Sequence, residues 1–229
     1  IETKVTCPLS TTQIWWYKAI LMKDLNLLAK GDESVGKGKM LSNLIMQPRK
    51  ACLHPYLFPG AEDIDSTTLE DLIGASGKLA VLDLLLRSLY EKEHRVVLFS
   101  QFTQILDILV SWTRFIGSSW CPSSRSRFYF LQEDYCSMRG WDYCRFGGGT
   151  ARAKRNFVVN SFNAPNSSKF IFLMSTRSGG MGLNLQTADT VILSDSDWNP
   201  QPDIQAMARV HLIGQTKTVH VYRLVTEGT

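Results

Sequence analysis

From Gly77 onward the chain alternates amphipathic stretches with short apolar runs. Lys78–Glu91 places Leu79, Leu82, Leu85 and Leu86 at helical spacing, and Arg95–Phe99 follows as a strand closed by Ser100 and Gln101. The same reading predicts strands at Tyr143–Phe146, Lys169–Met174, Thr190–Leu193 and Thr218–Val225, with helices over 151–162 and 201–211. Strands that alternate with helices predict an α/β fold, a parallel sheet with helices on both faces. In such a sheet the loops that follow the strands share one edge. Gln101 and residues 147–150, 175–182 and 195–199 gather there, which makes that edge the candidate ligand face.

The residues before Gly77 read differently, as an opening helical segment (1–58) and a linker (59–76). Ser10, Thr11 and Thr12 offer caps to a helix over Ser10–Lys30, with Ile14, Tyr17, Ile20 and Leu21 at helical spacing. Trp15 and Trp16, beside these apolar neighbours, are expected in the core rather than stacked on bases. GDESVGKGK (31–39) reads as a polar linker. Its Gly36-Lys37-Gly38-Lys39 lacks both the GxxxxGK[ST] spacing of a phosphate loop and the strand that precedes one. A second helix is expected over Met40–Leu53, kinked or interrupted by Pro48 and ended by His54-Pro55. His54 has no second metal-type residue near it and is read as structural.

Val110–Gln132 breaks the alternation: it contains no acid, and its Gly117 and Pro122 forbid a continuous helix. Close it out, and Phe102, Ile105, Leu106 and Leu109 are followed by Tyr135 and Cys136 on one apolar helical face. Every valine codon begins with GT and glutamine can be written CAG, so the two ends suit a retained intron. A genuine surface insertion is the alternative, since long loops cost little extra closure entropy.

Composition adds modest bounds. At 229 residues and 44% hydrophobic content, the chain can bury one substantial α/β core. A net charge of +4 is too small to argue for nucleic acid by itself. Cys7, Cys52, Cys121, Cys136 and Cys144 show no CxxC spacing, so free thiols in a reducing compartment are expected and a zinc site is not. No apolar run reaches the ~18 residues of a membrane span. No charged-then-apolar leader stands at Ile1, and the abrupt ends suggest a piece of a longer protein.

The densest chemistry lies in STRSGGMGLNL (175–185), a glycine-rich turn after a strand. Such glycines let bare amides approach a phosphate, and a nearby arginine can face phosphate charge. A lone GGxG is equally an ordinary turn, but here DSDWNPQ (195–201) and QAMARVHLIGQ (205–215) follow. The three strings together resemble motifs V and VI of the Swi/Snf-type helicase-like ATPases, the chromatin-remodelling motors of helicase superfamily two. ILMKD (20–24), HPYLF (54–58), SGKL (76–79) and LFSQ (98–101) fit the same family, with ILMKD nearest the imitation-switch remodellers.

The resemblance covers nearly the whole chain apart from the interrupting stretch. It implies the second, C-terminal RecA-like lobe of a DNA-dependent ATPase that translocates on DNA and remodels nucleosomes in the nucleus. By resemblance, Ser100, Gln101, Arg145, Thr150, Ser175, Thr176, Arg177 and Trp198 meet DNA, though Trp198 also reads as a core tryptophan. Gly180, Gly182, Gln205 and Arg209 line the nucleotide cleft, with Arg209 acting like an arginine finger or, alternatively, pairing with Asp203 or Asp197. ATP with Mg2+ is implied only together with the first lobe, whose phosphate loop is not found within these residues. The implied partners are double-stranded DNA, nucleosomes and that first lobe, with no membrane and no metal ligands in this lobe.

Three departures stand out. The second arginine of motif VI is Leu212, the acid of the family's D-G-x-T is Gly147, and the acid before the first arginine is Ala208. An arginine finger contributes on the order of a thousandfold to phosphoryl transfer, and leucine carries neither charge nor donor. The alternative is therefore a catalytically dead fragment or a DNA- or partner-binding remnant. A small-molecule Rossmann enzyme would need GxGxxG after the first strand, which is absent.

Overall fold

The computed structural model describes residues 1–22, 46–58, 61, 68–110, 135–148, 150–179, 182–212 and 215–228. They form two compact units, one of residues 2–92 with 222–229, the other of Ile1 with residues 93–221. The helix that begins at Gly77 packs within the first of these units.

The first unit opens on a strand, β1 (Glu2–Cys7), where a helical segment was expected. Its only apolar positions are Val5 and Cys7, and main-chain pairing holds it, with Glu227 N donating to Cys7 O at 2.9 Å. Helix α1 (Thr11–Leu21) starts on a capping box: Gln13 N donates to Ser10 Oγ and Ser10 N donates to Gln13 Oε1, each at 3.0 Å. Its buried face is Gln13, Trp16 and Ile20, while Ile14 and Leu21 are exposed. Trp16 stacks on Phe58 at 4.7 Å between centroids, but Trp15 is 52% exposed, so only one of the two tryptophans is core. The expected continuation over 23–30 and the linker 31–39 lie outside the described residues.

Helix α2 (46–53) contains Pro48 and runs on past it, so the proline does not interrupt the described part. A 3-10 turn (Pro55–Leu57) follows His54. Helix α3 (Leu69–Gly74) forms inside the expected linker on a second capping box, Thr68 with Asp71. Helix α4 (Gly77–Glu91), capped by Ser76, buries Leu79, Leu82, Leu86 and Leu89. The fully buried Gln13 amide ties these pieces together. Its Nε2 donates to Ala51 O at 2.8 Å and Cys52 O at 3.0 Å, and its Oε1 accepts from Gly77 N at 2.9 Å as well as from Ser10 N.

The second unit is built on β2 (Val96–Ser100), α5 (Thr103–Val110), α6 (Tyr135–Met138), β3 (Tyr143–Phe146), α7 (Arg152–Asn163), β4 (Ile171–Ser175), α8 (Thr176–Gly179), β5 (Thr190–Leu193) and α9 (Pro200–Met207). The last strand, β6 (His220–Thr226), begins here. Within this unit the strand order is β5-β2-β4-β3, and within the first unit β1 neighbours β6. β2 is central and pairs in parallel with β4 (Val96↔Ile171 to Ser100↔Ser175) and β5 (Val96↔Thr190 to Phe99↔Leu193), and β3 pairs in parallel with β4. This is the α/β, RecA-like parallel sheet that the sequence predicts.

Strand residues alternate between the faces. One face carries Val97, Phe99, Cys144, Phe146, Phe172, Met174, Val191 and Leu193, covered by Val159 and Phe162 of α7 with Ala206 and Val210. On the other, Val96, Leu98, Ile171, Leu173 and Ile192 are buried, and α5 packs on β2 and β4. Burial on both faces is why these strands read as unbroken apolar runs.

Residues 111–134, most of the interrupting stretch, lie outside the described residues. The helices that flank it, α5 and α6, pack together and bury Phe102, Ile105, Leu106, Leu109, Tyr135 and Cys136. Cys7, Cys52, Cys136 and Cys144 are free thiols. Among the described residues no helix is long and apolar enough to cross a membrane, and no cluster of three His, Cys, Asp or Glu could hold a metal.

Candidate functional site at the carboxyl edge of the sheet

Parallel pairing of β5, β2, β4 and β3 brings the carboxyl ends of four strands to one edge of the second unit. Gln101 follows β2, Gly147 follows β3, Thr176 follows β4, and Ser194 and Asp195 follow β5. The sequence-predicted residues divide there into buried and exposed ones.

Ser100, Ser175 and Thr176 are buried. Ser100 is buried and its hydroxyl accepts from Phe102 N at 3.1 Å, turning the chain from β2 into α5. Ser175 Oγ lies 2.6 Å from Ser178 Oγ, both buried. Thr176 is buried too, and its Oγ1 has no hydrogen-bond partner. The hydroxyls of Ser100 and Ser175 are thus engaged inside the fold.

Arg145, Arg177 and Trp198 are exposed, Trp198 by 77%, so it is no core tryptophan. Arg145 pairs with Asp107, an exposed ion pair of the kind that is worth little and readily released. Thr150 closes the loop after β3: Gly147 N donates to its Oγ1 and its own N donates to Gly147 O, both at 3.0 Å. Gly147, in the place of the family's acid, has open space where a Cβ would stand.

Gly182 adopts φ +70, the left-handed region that favours glycine, while Gly180 lies outside the described residues. The helix expected over 201–211 ends at Met207 with Ala208 as its C-cap, so Gln205 and Arg209 do not share one helical face. Gln205 is exposed and Arg209 half-buried. Arg209 forms no ion pair with Asp203 or Asp197, and its Nε is buried without a hydrogen-bond partner. A guanidinium so placed fits an anionic group. Leu212 offers none of this: its N donates to Val210 O at 3.1 Å and its side chain is half-buried and neutral.

Sequence reasoning missed two features. Asn199, read only as a breaker, is the N-cap of α9, accepting from Gln201 N at 3.1 Å, with Pro200 at the first helical position. Between Asp142 and Asp189 the sequence also holds no acid, only Arg145, Arg152, Lys154, Arg155, Lys169 and Arg177. Of these, Arg145 and Arg177 are exposed at the carboxyl edge, the first paired with Asp107, while the β5 side carries Asp195 and Asp197.

The model of the helicase conserved C-terminal domain matches residues 77–214. The "ISWI chromatin-remodeling complex ATPase ISW2" of Saccharomyces cerevisiae is 49% identical over 232 residues, spanning 100% of this chain and 18% of that protein. The human "SWI/SNF-related matrix-associated actin-dependent regulator of chromatin subfamily A member 1" is 50% identical over 231 residues, spanning 100% of this chain and 20% of its own length. The crystal structure of the C-terminal part of the Fun30 ATPase domain matches with a TM-score of 0.71 at 26% identity, covering 100% of this chain and 86% of that one. The chain thus spans about a fifth of the length of these curated relatives. With a family match over more than half its length and relatives aligned end to end, it belongs to the helicase C-terminal domain family, as the C-terminal helicase lobe of the chromatin-remodelling ATPases.

Proposed function

We propose that this chain is the second motor lobe of a nuclear, DNA-dependent ATPase that translocates on double-stranded DNA and remodels nucleosomes. Gln101, Arg145, Thr150, Arg177 and Trp198 meet the DNA from the carboxyl edge, and the buried Ser100, Ser175 and Thr176 hold the loops that present them. Gly180, Gly182, Gln205 and Arg209 face the nucleotide, with Arg209 placed to meet developing phosphate charge. ATP and Mg2+ are held together with a first RecA-like lobe.

The observation that carries this reading is Trp198, 77% exposed on the edge that also presents the exposed Arg145 and Arg177. A large ring left in water suits a partner with flat bases or sugars, and the exposed Arg145 and Arg177 at the same edge suit its phosphates. Phosphates are read without sequence preference, so binding is expected to be weak, sequence-independent and steeply salt-dependent. A fluorescence titration of a labelled duplex at several salt concentrations checks this. Trp198→Ala is expected to weaken binding about tenfold while leaving the melting temperature unchanged, because the ring buries little in the fold. Salt-independent binding, a strong preference for one sequence, or an unaltered affinity in Trp198→Ala would remove the support.

A further inference from the structure

Asp195 joins two of the loops at the carboxyl edge. It is 5% exposed, and Gln101 N donates to both of its oxygens, at 3.0 Å to Oδ1 and 3.1 Å to Oδ2. Ser194 Oγ lies 3.0 Å from Asp195 Oδ1 and 3.1 Å from Phe99 O, and Ser194 N donates to Phe99 O at 3.0 Å. The exits of β5 and β2 are thereby laced together beyond the last paired residues, Phe99↔Leu193.

On electrostatics alone an acid is misplaced here, because like charge repels a phosphate partner. The strands do not need it either, since β2 and β5 are already paired along their length. What the carboxylate adds lies past the ladder. It fixes the amide of Gln101 and the start of the loop that carries Trp198 three positions later. That loop runs on through Asp197 Oδ1, which accepts from Asn199 N at 3.0 Å, into the cap of α9.

We propose that Asp195 is a positioning residue that holds Gln101 and Trp198 as one preorganised DNA-facing unit. This rests on the reading of the edge as a DNA surface. Removing the carboxylate has two opposed effects. Losing the charge favours phosphate, whereas losing the acceptor frees the β2 loop, which must then be ordered again on binding.

Three variants of the full chain separate these effects: Asp195→Asn keeps an acceptor without the charge, Asp195→Ala keeps neither, and Asp195→Glu keeps the charge but displaces it. Each is titrated with the same duplex at fixed salt, and amide hydrogen exchange is read at Gln101. The expected result is binding about threefold to tenfold weaker in D195A and D195E, the fold-change of one net hydrogen bond, with D195N equal to or tighter than the parent. Gln101 exchange should quicken about tenfold in D195A and little in D195N. Should D195A not fold, D195E and D195N decide the matter. D195A binding as tightly as D195N, D195E binding like the parent, or unchanged Gln101 exchange would each overturn the proposal. If the parent binds no duplex, the DNA reading and the DNA-facing part of this proposal both fall. Gln101 exchange then still reports separately on the clamp.

Discussion

Acidification should weaken the first unit through His54. The ring is fully buried, its Nε2 lies 3.0 Å from Leu72 O, and its Nδ1 accepts from Tyr56 N at 3.1 Å. The Tyr56 bond requires a bare Nδ1, so the neutral ring with its proton on Nε2 satisfies both partners. A second proton would take away the acceptor and bury a charge. Burial pushes the pKa from 6.5 down to about 4, with the Leu72 hydrogen bond pulling the other way. The unfolded chain takes up a proton near the ordinary value while the folded chain does not until about pH 4. Stability is therefore whole above the unfolded value and drains as pH falls toward the folded one. At about 1.4 kcal/mol per unit, the loss is about 3 kcal/mol, a large share of a domain's total. Urea unfolding followed by circular dichroism at pH steps from neutral to acid measures it, with His54→Gln as the reference that cannot protonate. Carboxylates titrate in both proteins, so the difference between the two curves isolates His54. Parallel curves, or an NMR titration of the His54 ring at its ordinary midpoint, would refute the argument.

Gly77→Ala should destabilise by about 1–3 kcal/mol in a thermal melt, because overpacking against main chain leaves little to give. The added Cβ would stand 1.6 Å from Pro8 O and 2.8 Å from Pro8 C. Gly74→Ala should do the reverse and gain about 0.5–1 kcal/mol, having nothing within 4 Å of its Cβ and a helical backbone. Deleting residues 110–132 should raise the melting temperature and soluble yield, since it would join the buried Leu109 closely to the buried Tyr135 and Cys136. An equal or lower melting temperature would mean that the stretch packs as genuine structure.

Continuous apolar runs were legible. Tyr143–Phe146 and Thr190–Leu193 form strands at the bounds their sequences mark, the second because both its faces are covered, the first because Cys144 and Phe146 are buried in the core. β1 was not legible: ETKVTC offers two apolar positions, and an edge strand held by main-chain bonds leaves no side-chain period. The face of α1 was misjudged because Gln13, a polar residue, occupies its centre. Only the partners of its amide, distant in sequence, justify the burial. At the site, motif strings located the edge, but a residue's type does not say whether its hydroxyl turns inward, as Ser100 and Ser175 do. Trp198 was ambiguous for the same reason. Asp195 was placed at this edge, but its bond to the backbone of Gln101 was not legible, because no side-chain pattern records a main-chain partner.

The Gln13 amide has a mechanical consequence. Its bonds run to Ser10, to the end of α2 and to Gly77, three stretches separated by long intervals of chain. Bonds arranged side by side share a load and fail together, whereas bonds in series open like a zip, each at the force of the weakest. A pull on any one of these stretches is resisted through the same side chain by the other two. The described stretches around Ser10, α2 and Gly77 therefore share a load through Gln13, alongside the Ser10–Ala75 and Ser76–Leu53 bonds. Shortening that side chain by one methylene, as in Gln13→Asn, would leave the remaining bonds to carry the load without it.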